Sequence, residues 1–426
     1  MKKSVLLFLI SVSCYSQEIE LKIDKYIEPF VNNHCFSGCI LIAKGDDIKV
    51  EKCYGKANYE HDINNSLSTK FRIASLTKSF TQIAIDILES QGKIKKTDYL
   101  SKYYSGIKNA DKITINHLLN HRSGITHIND YPNYDVLAKE FYTMYDIIEL
   151  FKDKPLDFEP GEKRSYSNSG YVMLAYIIEK TSGLSYMDYL SKYIFKPANM
   201  TSTFMEKQQE VVKHKAYGYQ PSPDGKGVKR SLHWNPDIKL ASGGLTSTPR
   251  DVFKFFRSYF TGRLNIKPEL PEKKDATYYF QGNSPGYAAF SKIYFESNTY
   301  VVVLSNNYSR AGWNIGKNIG DIFNGKDFTF EAPRKEMGKK LERFVGFHHA
   351  IDFNWKFWLS LDENDNFSVA TDMNGQPDRT RSGPAYYIGN DTFYLPSFVA
   401  SIKFHSLKTE KGNIEWNNFD RLTKTK

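Results

Sequence analysis

The chain has 426 residues and only four cysteines: Cys14, Cys35, Cys39 and Cys53. So few thiols exclude a scaffold in which cross-links stand in for a core. No run of 18 or more apolar residues follows the N-terminal segment, so no interior segment reads as a membrane-spanning helix. There is no internal repeat and no low-complexity tract. Cys35-x3-Cys39 has no His or Cys cluster nearby to complete a metal site, so zinc is rejected and no cofactor is implied. Net charge is +10, but the basic residues are interspersed with Asp and Glu. No basic run is interleaved with aromatics, so a nucleic-acid groove is not expected. What remains is ordinary globular composition, 40% hydrophobic and 25% charged, at a length suited to two domains or one large domain plus a module.

The first residues read as an export signal, residues 1–16. Lys2 and Lys3 form a positive start, Val5 to Val12 a short apolar region, and Cys14-Tyr15-Ser16 a small-residue cleavage site that leaves Gln17 first. The protein is therefore expected outside the cytoplasm, secreted or periplasmic. Lipid anchoring at Cys14 is the lesser alternative, because Ser11 stands where such sites usually carry an aliphatic residue. Cys35, Cys39 and Cys53 then remain. An odd count allows at most one internal disulfide, and packed thiols or one bridge both fit.

Residues Ile19 to Val31 show helical periodicity. Cys39–Ala43 and Ile48–Cys53 read as strands around the turn Lys44–Asp47. Leu76, Phe80, Ile83, Ala84, Ile87 and Leu88 recur at three- and four-residue steps, predicting a helix from about Ser75 to Gln91, stopped at Gly92. Further helices are expected over Tyr171–Thr181, ended near Gly183, and over Pro249–Phe260. Strands are expected between Ala288 and Ser305. The apolar run Tyr300–Leu304 suits a strand covered on both faces. Glu331 to Arg343 reads as a charged connector. Beyond it, short alternating runs such as Trp355–Leu361 suit a small antiparallel module. The expected domains are 17–330 and 331–426.

Ser75-Leu-Thr-Lys78 places a hydroxyl and an amine three residues apart, neighbours on a helix face. The helix start favours developing negative charge at Ser75. The amine can take the hydroxyl proton if burial or other cations lower its pKa. Spacing alone does not single out Ser75, because Ser90–Lys93 and Ser105–Lys108 share it. Tyr166-Ser167-Asn168 adds a phenol, which becomes a base if held near two cations, and an amide suited to substrate and lysine. Tyr131-Pro-Asn133 repeats that pattern but reads as a turn. His117 and His121, four apart on an expected helix, lack the acidic residue of a metal motif and read as packing and capping residues.

These segments, with Phe71-Arg-Ile-Ala-Ser-Leu-Thr-Lys78, Ile115-Asn-His-Leu-Leu-Asn-His-Arg-Ser-Gly124, Glu159-Pro-Gly161, Gly243-Gly-Leu-Thr-Ser247 and Pro285-Gly286, come in the order seen in a known group. The chain resembles the serine β-lactamase and penicillin-binding protein superfamily, in its class C-like branch, over Phe36 to Asn307. The resemblance implies an α/β (α+β) fold: an antiparallel sheet flanked by helices, plus a helical subdomain. It implies Ser75 as nucleophile, Lys78 and Tyr166 as proton carriers, and Asn168 as substrate-orienting. The substrate would be a small molecule or peptide, cell-wall fragments included. The C-terminal module resembles the lipocalin-like β domains appended to such hydrolases.

One motif departs from that pattern. The family's Lys-Thr-Gly or His-x-Gly stretch falls, counting back from Pro285, on Phe280, Gln281 and Gly282. The glycine is kept and the cation is absent. Backbone N–H groups of Ser75 and Asn283 would form the oxyanion hole. Without the cation, a substrate carboxylate loses an anchor and Tyr166 loses a positive neighbour. The expectation is therefore an esterase, or a peptidase for small or D-amino-acid substrates, rather than an efficient β-lactamase. The alternative is a penicillin-binding or peptidoglycan-recognising protein with little turnover.

Overall fold

In a computed structural model, residues 2–418 are described except 33, 208–209, 223–226, 274, 310, 327–343 and the connections 351–354, 362–366, 374–375, 390–391, 396–399 and 405–413. The expected connector at 331–343 lies outside the described residues.

Helix α1 (Lys2–Asn32) is followed by the hairpin β1 (Gly38–Lys44) and β2 (Asp47–Tyr54). Helices α2 (Thr77–Ser90), α3 (Asn168–Ser182) and α4 (Pro249–Phe260) come next in the chain. Strands β3 (Thr277–Ser284), β4 (Tyr287–Tyr294) and β5 (Thr299–Ser305) precede helix α5 (Ala311–Phe323). The five strands form one antiparallel sheet in the order β3-β4-β5-β1-β2.

Side-chain alternation divides the core into two layers. On one face Ile40, Ile42, Val301 and Val303 pack with Ile23, Ile27 and Phe30 of α1 and Ile315 and Ile319 of α5. On the other, Leu41, Ala43, Val302 and Leu304 meet Phe80, Ile83 and Phe256 of the helical half. Both faces of β1 and β5 are covered, which is why their sequences are continuous apolar runs. Each fully buried Ile, Leu or Phe contributes about 1.5–3 kcal/mol.

Cys39 and Cys53 face each other across β1 and β2 and are joined by a disulfide. Cys35 is buried outside that bridge. The expected helix at Ser75 starts slightly later. Ser75 lies in a 3₁₀ turn, Ala74–Leu76, and the α-helix begins at Thr77. The helix after Tyr166 starts earlier than expected. Ser167 caps it by accepting from the Gly170 N–H, and Gly183 ends it at φ 71°, donating to the Glu179 carbonyl. At α4, Thr248 caps and Pro249 takes the first turn. The C-terminal strands, from Gly346–Ala350 to Ile414–Asn418, follow one another as a seven-stranded antiparallel sheet.

Candidate active site

The site forms where the 3₁₀ turn meets the open edge of β3. Gly282 makes that approach possible. A Cβ there would stand 2.2 Å from the Ile73 carbonyl oxygen and 2.9 Å from the Ser75 nitrogen. No residue larger than glycine fits so close to a neighbouring backbone. Ala74, immediately before Ser75, is held at φ 46°. That left-handed conformation is costly outside glycine and fixes how Ser75 is presented. The two-residue turn Pro285–Gly286 makes Ser284 and Tyr287 its closing pair. By antiparallel alternation, the Asn283 N–H then points away from β4 to the open edge. It lies beside Ser75 in the same cleft.

Ser75, Lys78, Tyr166 and Asn168 converge. The Ser75 and Tyr166 hydroxyls are 2.8 Å apart. Lys78 Nζ donates to Asn168 Oδ1 at 2.7 Å and to the Ser242 carbonyl at 2.6 Å, and lies 3.4 Å from Ser75 Oγ. Burial, and then the charge of Lys239, hold the Lys78 amine well below its ordinary pKa. With Asn168 and Ser242 taking two of its directions, the third direction from Nζ faces the Ser75 hydroxyl.

With Phe280 in place of a strand cation, Tyr166 is not driven toward the phenolate. Burial raises its pKa, outweighing the Ser75 hydrogen bond and the Arg164 charge. The resting group is a phenol, able to give a proton. Lys78 Nζ also sits 4.7 Å from the Tyr166 ring centre.

The two histidines nearest Tyr166 are neutral braces. His121 Nδ1 accepts from the Ser167 N–H at 3.2 Å, and His127 Nδ1 from the Asn168 N–H at 3.0 Å. They satisfy donors at the start of α3. Burial first, then neighbouring positive charge, lowers His121 to about 3 and His127 to about 4. His117 has the capping role expected of it, its Nδ1 accepting from the Thr114 N–H. The short helix Ile115–Leu119 ends before His121, which lies at φ 57° and so not on one helical face with His117.

Phe280 does not replace the absent cation with another polar group. It stacks on Phe256, ring centres 4.5 Å apart, and joins the core. Gln281 is exposed on the strand. Two of the competing patterns, at Ser90 and Tyr131, have other partners. Ser90 closes α2 by donating to the Ile87 carbonyl, and Tyr131 donates to the Leu150 carbonyl.

Sequence reasoning missed Asn129, His127, Ser242 and Lys239. Asn129 Oδ1 accepts from Asn168 Nδ2 and from Lys239 Nζ, each at 2.8 Å. No motif spacing links residues so far apart in the chain. Among the described residues, no group of three His, Cys, Asp or Glu side chains converges as a metal site.

The mixed fold thus sets Ser75, in the 3₁₀ turn that leads into α2, against the edge of an antiparallel sheet. The Beta-lactamase family model matches residues 23–312, and the chain belongs to that family. It is 36% identical over 199 residues to penicillin-binding protein 4* of Bacillus subtilis (strain 168), covering 45% of this chain and 44% of that one. The chain thus spans less than half the length of that relative. A penicillin-binding protein from Bacillus halodurans has a similar structure, with TM-score 0.62 and 26% identity over 70% of this chain and all of the other. A D-amino acid amidase from Ochrobactrum anthropi SV3 shares the fold at TM-score 0.64 and 21% identity, over 72% of this chain and 99% of its own.

Proposed function

We propose that the protein is a secreted serine hydrolase that works through an acyl-enzyme on Ser75. The observation that carries this is Lys78, whose two donors are spent on Asn168 and Ser242 while its third direction faces Ser75 Oγ. Lys78 takes the Ser75 proton as Oγ attacks the substrate carbonyl. The N–H groups of Ser75 and Asn283 receive the charge that develops on the carbonyl oxygen. Tyr166 gives its proton to the leaving group and becomes a phenolate. In the second half the phenolate takes a proton from water, which attacks the acyl carbon. Ser75 leaves and recovers its proton from Lys78, so every group returns to its starting state.

The substrate class is an ester or a small amide, D-amino-acid peptides and cell-wall fragments included. Phe280 disfavours efficient β-lactam turnover, because the strand offers no cation to a substrate carboxylate. The same feature supports the second reading, a penicillin-binding protein that acylates without turnover. Export is supported by the Cys39–Cys53 disulfide, since such bonds persist in oxidising compartments. The strands after residue 345 are taken as a separate lipocalin-like module.

The test is to treat the protein with a fluorophosphonate and a labelled penicillin and map adducts by mass spectrometry. Adducts at Ser75 with ester turnover support the hydrolase. Adducts without turnover favour the binding reading. No adduct at Ser75 with either reagent would sink both.

A further inference from the structure

The cleft on both sides of Ser75 is walled by cations and, among its described lining residues, by no Asp or Glu. On the side of Phe280 and Tyr166, a space of about 440 Å³ is edged by Arg164. On the side of Asn168 and Trp234, a space of about 220 Å³ is lined by Lys239. The nearby histidines stay neutral, as described above, so they do not change this balance.

Lys239 is the more firmly placed cation. Its Nζ donates to Asn129 and lies 4.6 Å from the Tyr134 ring centre and 5.1 Å from that of Trp234. An ammonium has three donors, and no carboxylate among the described residues is within ion-pair reach of this one. The residue ends the 3₁₀ turn Pro236–Lys239, and Leu240 beside it is held at φ 33°. That strained backbone sets the lysine's place in the wall. Burial has lowered Lys239 to about 7. An anion brought beside it would restore the charged form, a favourable step that a neutral ligand cannot supply. Meanwhile the position where the family carries its strand cation is filled by Phe280 against Phe256. On the wall opposite β3, the basic side chain is Lys239.

We infer that the substrate is an acyl donor with a carboxylate in its acyl part, and that Lys239, beside Asn129 and Trp234, is the residue that selects it. This rests on the acyl-serine reading of Ser75. A free α-amino-acid amide fits poorly, because its ammonium would enter a cleft that holds cations and no acid. The selected ester is cleaved as described above: the acyl group passes to Ser75, the leaving alcohol takes the Tyr166 proton, and water releases the dicarboxylic acid.

The experiment compares kcat/KM for three esters: 4-nitrophenyl valerate, its hemiglutarate counterpart, and a valerate ester of 4-hydroxybenzoate, which carries the carboxylate on the leaving group. The expected result is a preference of about tenfold or more for hemiglutarate over valerate. The ratio should fall toward one in Lys239→Met, persist in Lys239→Arg and persist in Arg164→Gln. Equal or lower rates with hemiglutarate in the unaltered protein would overturn the inference, even if Lys239→Met failed to fold. So would a preference that survives Lys239→Met, or one that attaches only to the leaving-group carboxylate. Fluorophosphonate labelling of Ser75 runs alongside. Labelling with no hemiglutarate preference rejects the Lys239 subsite alone, whereas no labelling rejects the acyl-serine reading beneath it.

Discussion

The Asn168 side-chain oxygen accepts a 2.7 Å hydrogen bond from Lys78 Nζ while its amide nitrogen donates to Asn129. The amide is thereby fixed in one orientation, and its oxygen can only face the lysine. Together with the Ser242 carbonyl, this contact positions the amine beside Ser75.

Removing the amine should abolish acylation while leaving the fold. Lys78→Met is expected to lower kcat/KM by about 10³-fold or more. Lys78→Arg places a permanent charge there and has no lone pair at working pH, and should be as inactive. Ester turnover, with circular dichroism as a folding control, checks both.

Gly282→Ala should damage the site more than the fold. The added Cβ meets the backbone of Ile73, Leu76 and Ser75, not a flexible side-chain end. The strand or the 3₁₀ turn must move, and misplacing a reacting group by about 1 Å costs on the order of 10²-fold. Kinetics and a thermal melt on the same sample separate the two effects.

Much of this was legible in the sequence. The existence of the helices after Ser75 and Tyr166 and of the buried strand through Val302 follows from periodicity, and the meeting of Ser75, Lys78, Tyr166 and Asn168 from the ordered motifs; the Ser167 cap that starts the second helix early was not read. Ala74 hid the 3₁₀ turn, because its positive φ is imposed by tertiary packing and an alanine gives no signal of it. The Tyr166 protonation state was not legible either, because it depends on burial among distant groups. Lys239 and Asn129 reach the site through long-range packing alone. The Cys39–Cys53 bridge needed the β1–β2 register, which spacing did not provide.

A buried ion pair anchors the strand leading into the site. Arg72 donates to both carboxylate oxygens of Glu206, at 2.8 and 2.9 Å, and to the Trp234 carbonyl at 2.8 Å. Lys215 adds a second cation. Glu206→Gln leaves the buried Arg72 without its counter-charge and should cost about 3–5 kcal/mol. Urea unfolding at neutral pH measures this, with the Ser75 cleft distorted through Trp234.

Acid should unfold the protein in two overlapping stages. The folded-state pKa values of His121 and His127 lie below 6.5 because burial, then nearby positive charge, opposes their ionisation. Below about pH 6.5 the unfolded chain binds protons that the folded chain refuses, so stability falls as pH drops toward about 4. Burial tends to raise Glu206, but Arg72 and Lys215 outweigh it and hold the carboxyl at about 2. Its stabilisation is present above about pH 4.5 and is lost as pH falls through about 2. Urea midpoints across pH 3 to 8 should decline steadily on the acid side; a flat profile from 7 to 4 would contradict the histidine assignment.

In the proposed reaction Ser75 carries the acyl group. The most direct measurement is intact-protein mass spectrometry during turnover of a slow ester, followed by peptide mapping. One acyl group per chain is expected on the peptide containing Ser75, appearing and decaying with turnover, and none in Ser75→Ala. Turnover that persists in Ser75→Ala, or an acyl group mapped to another residue, would contradict it.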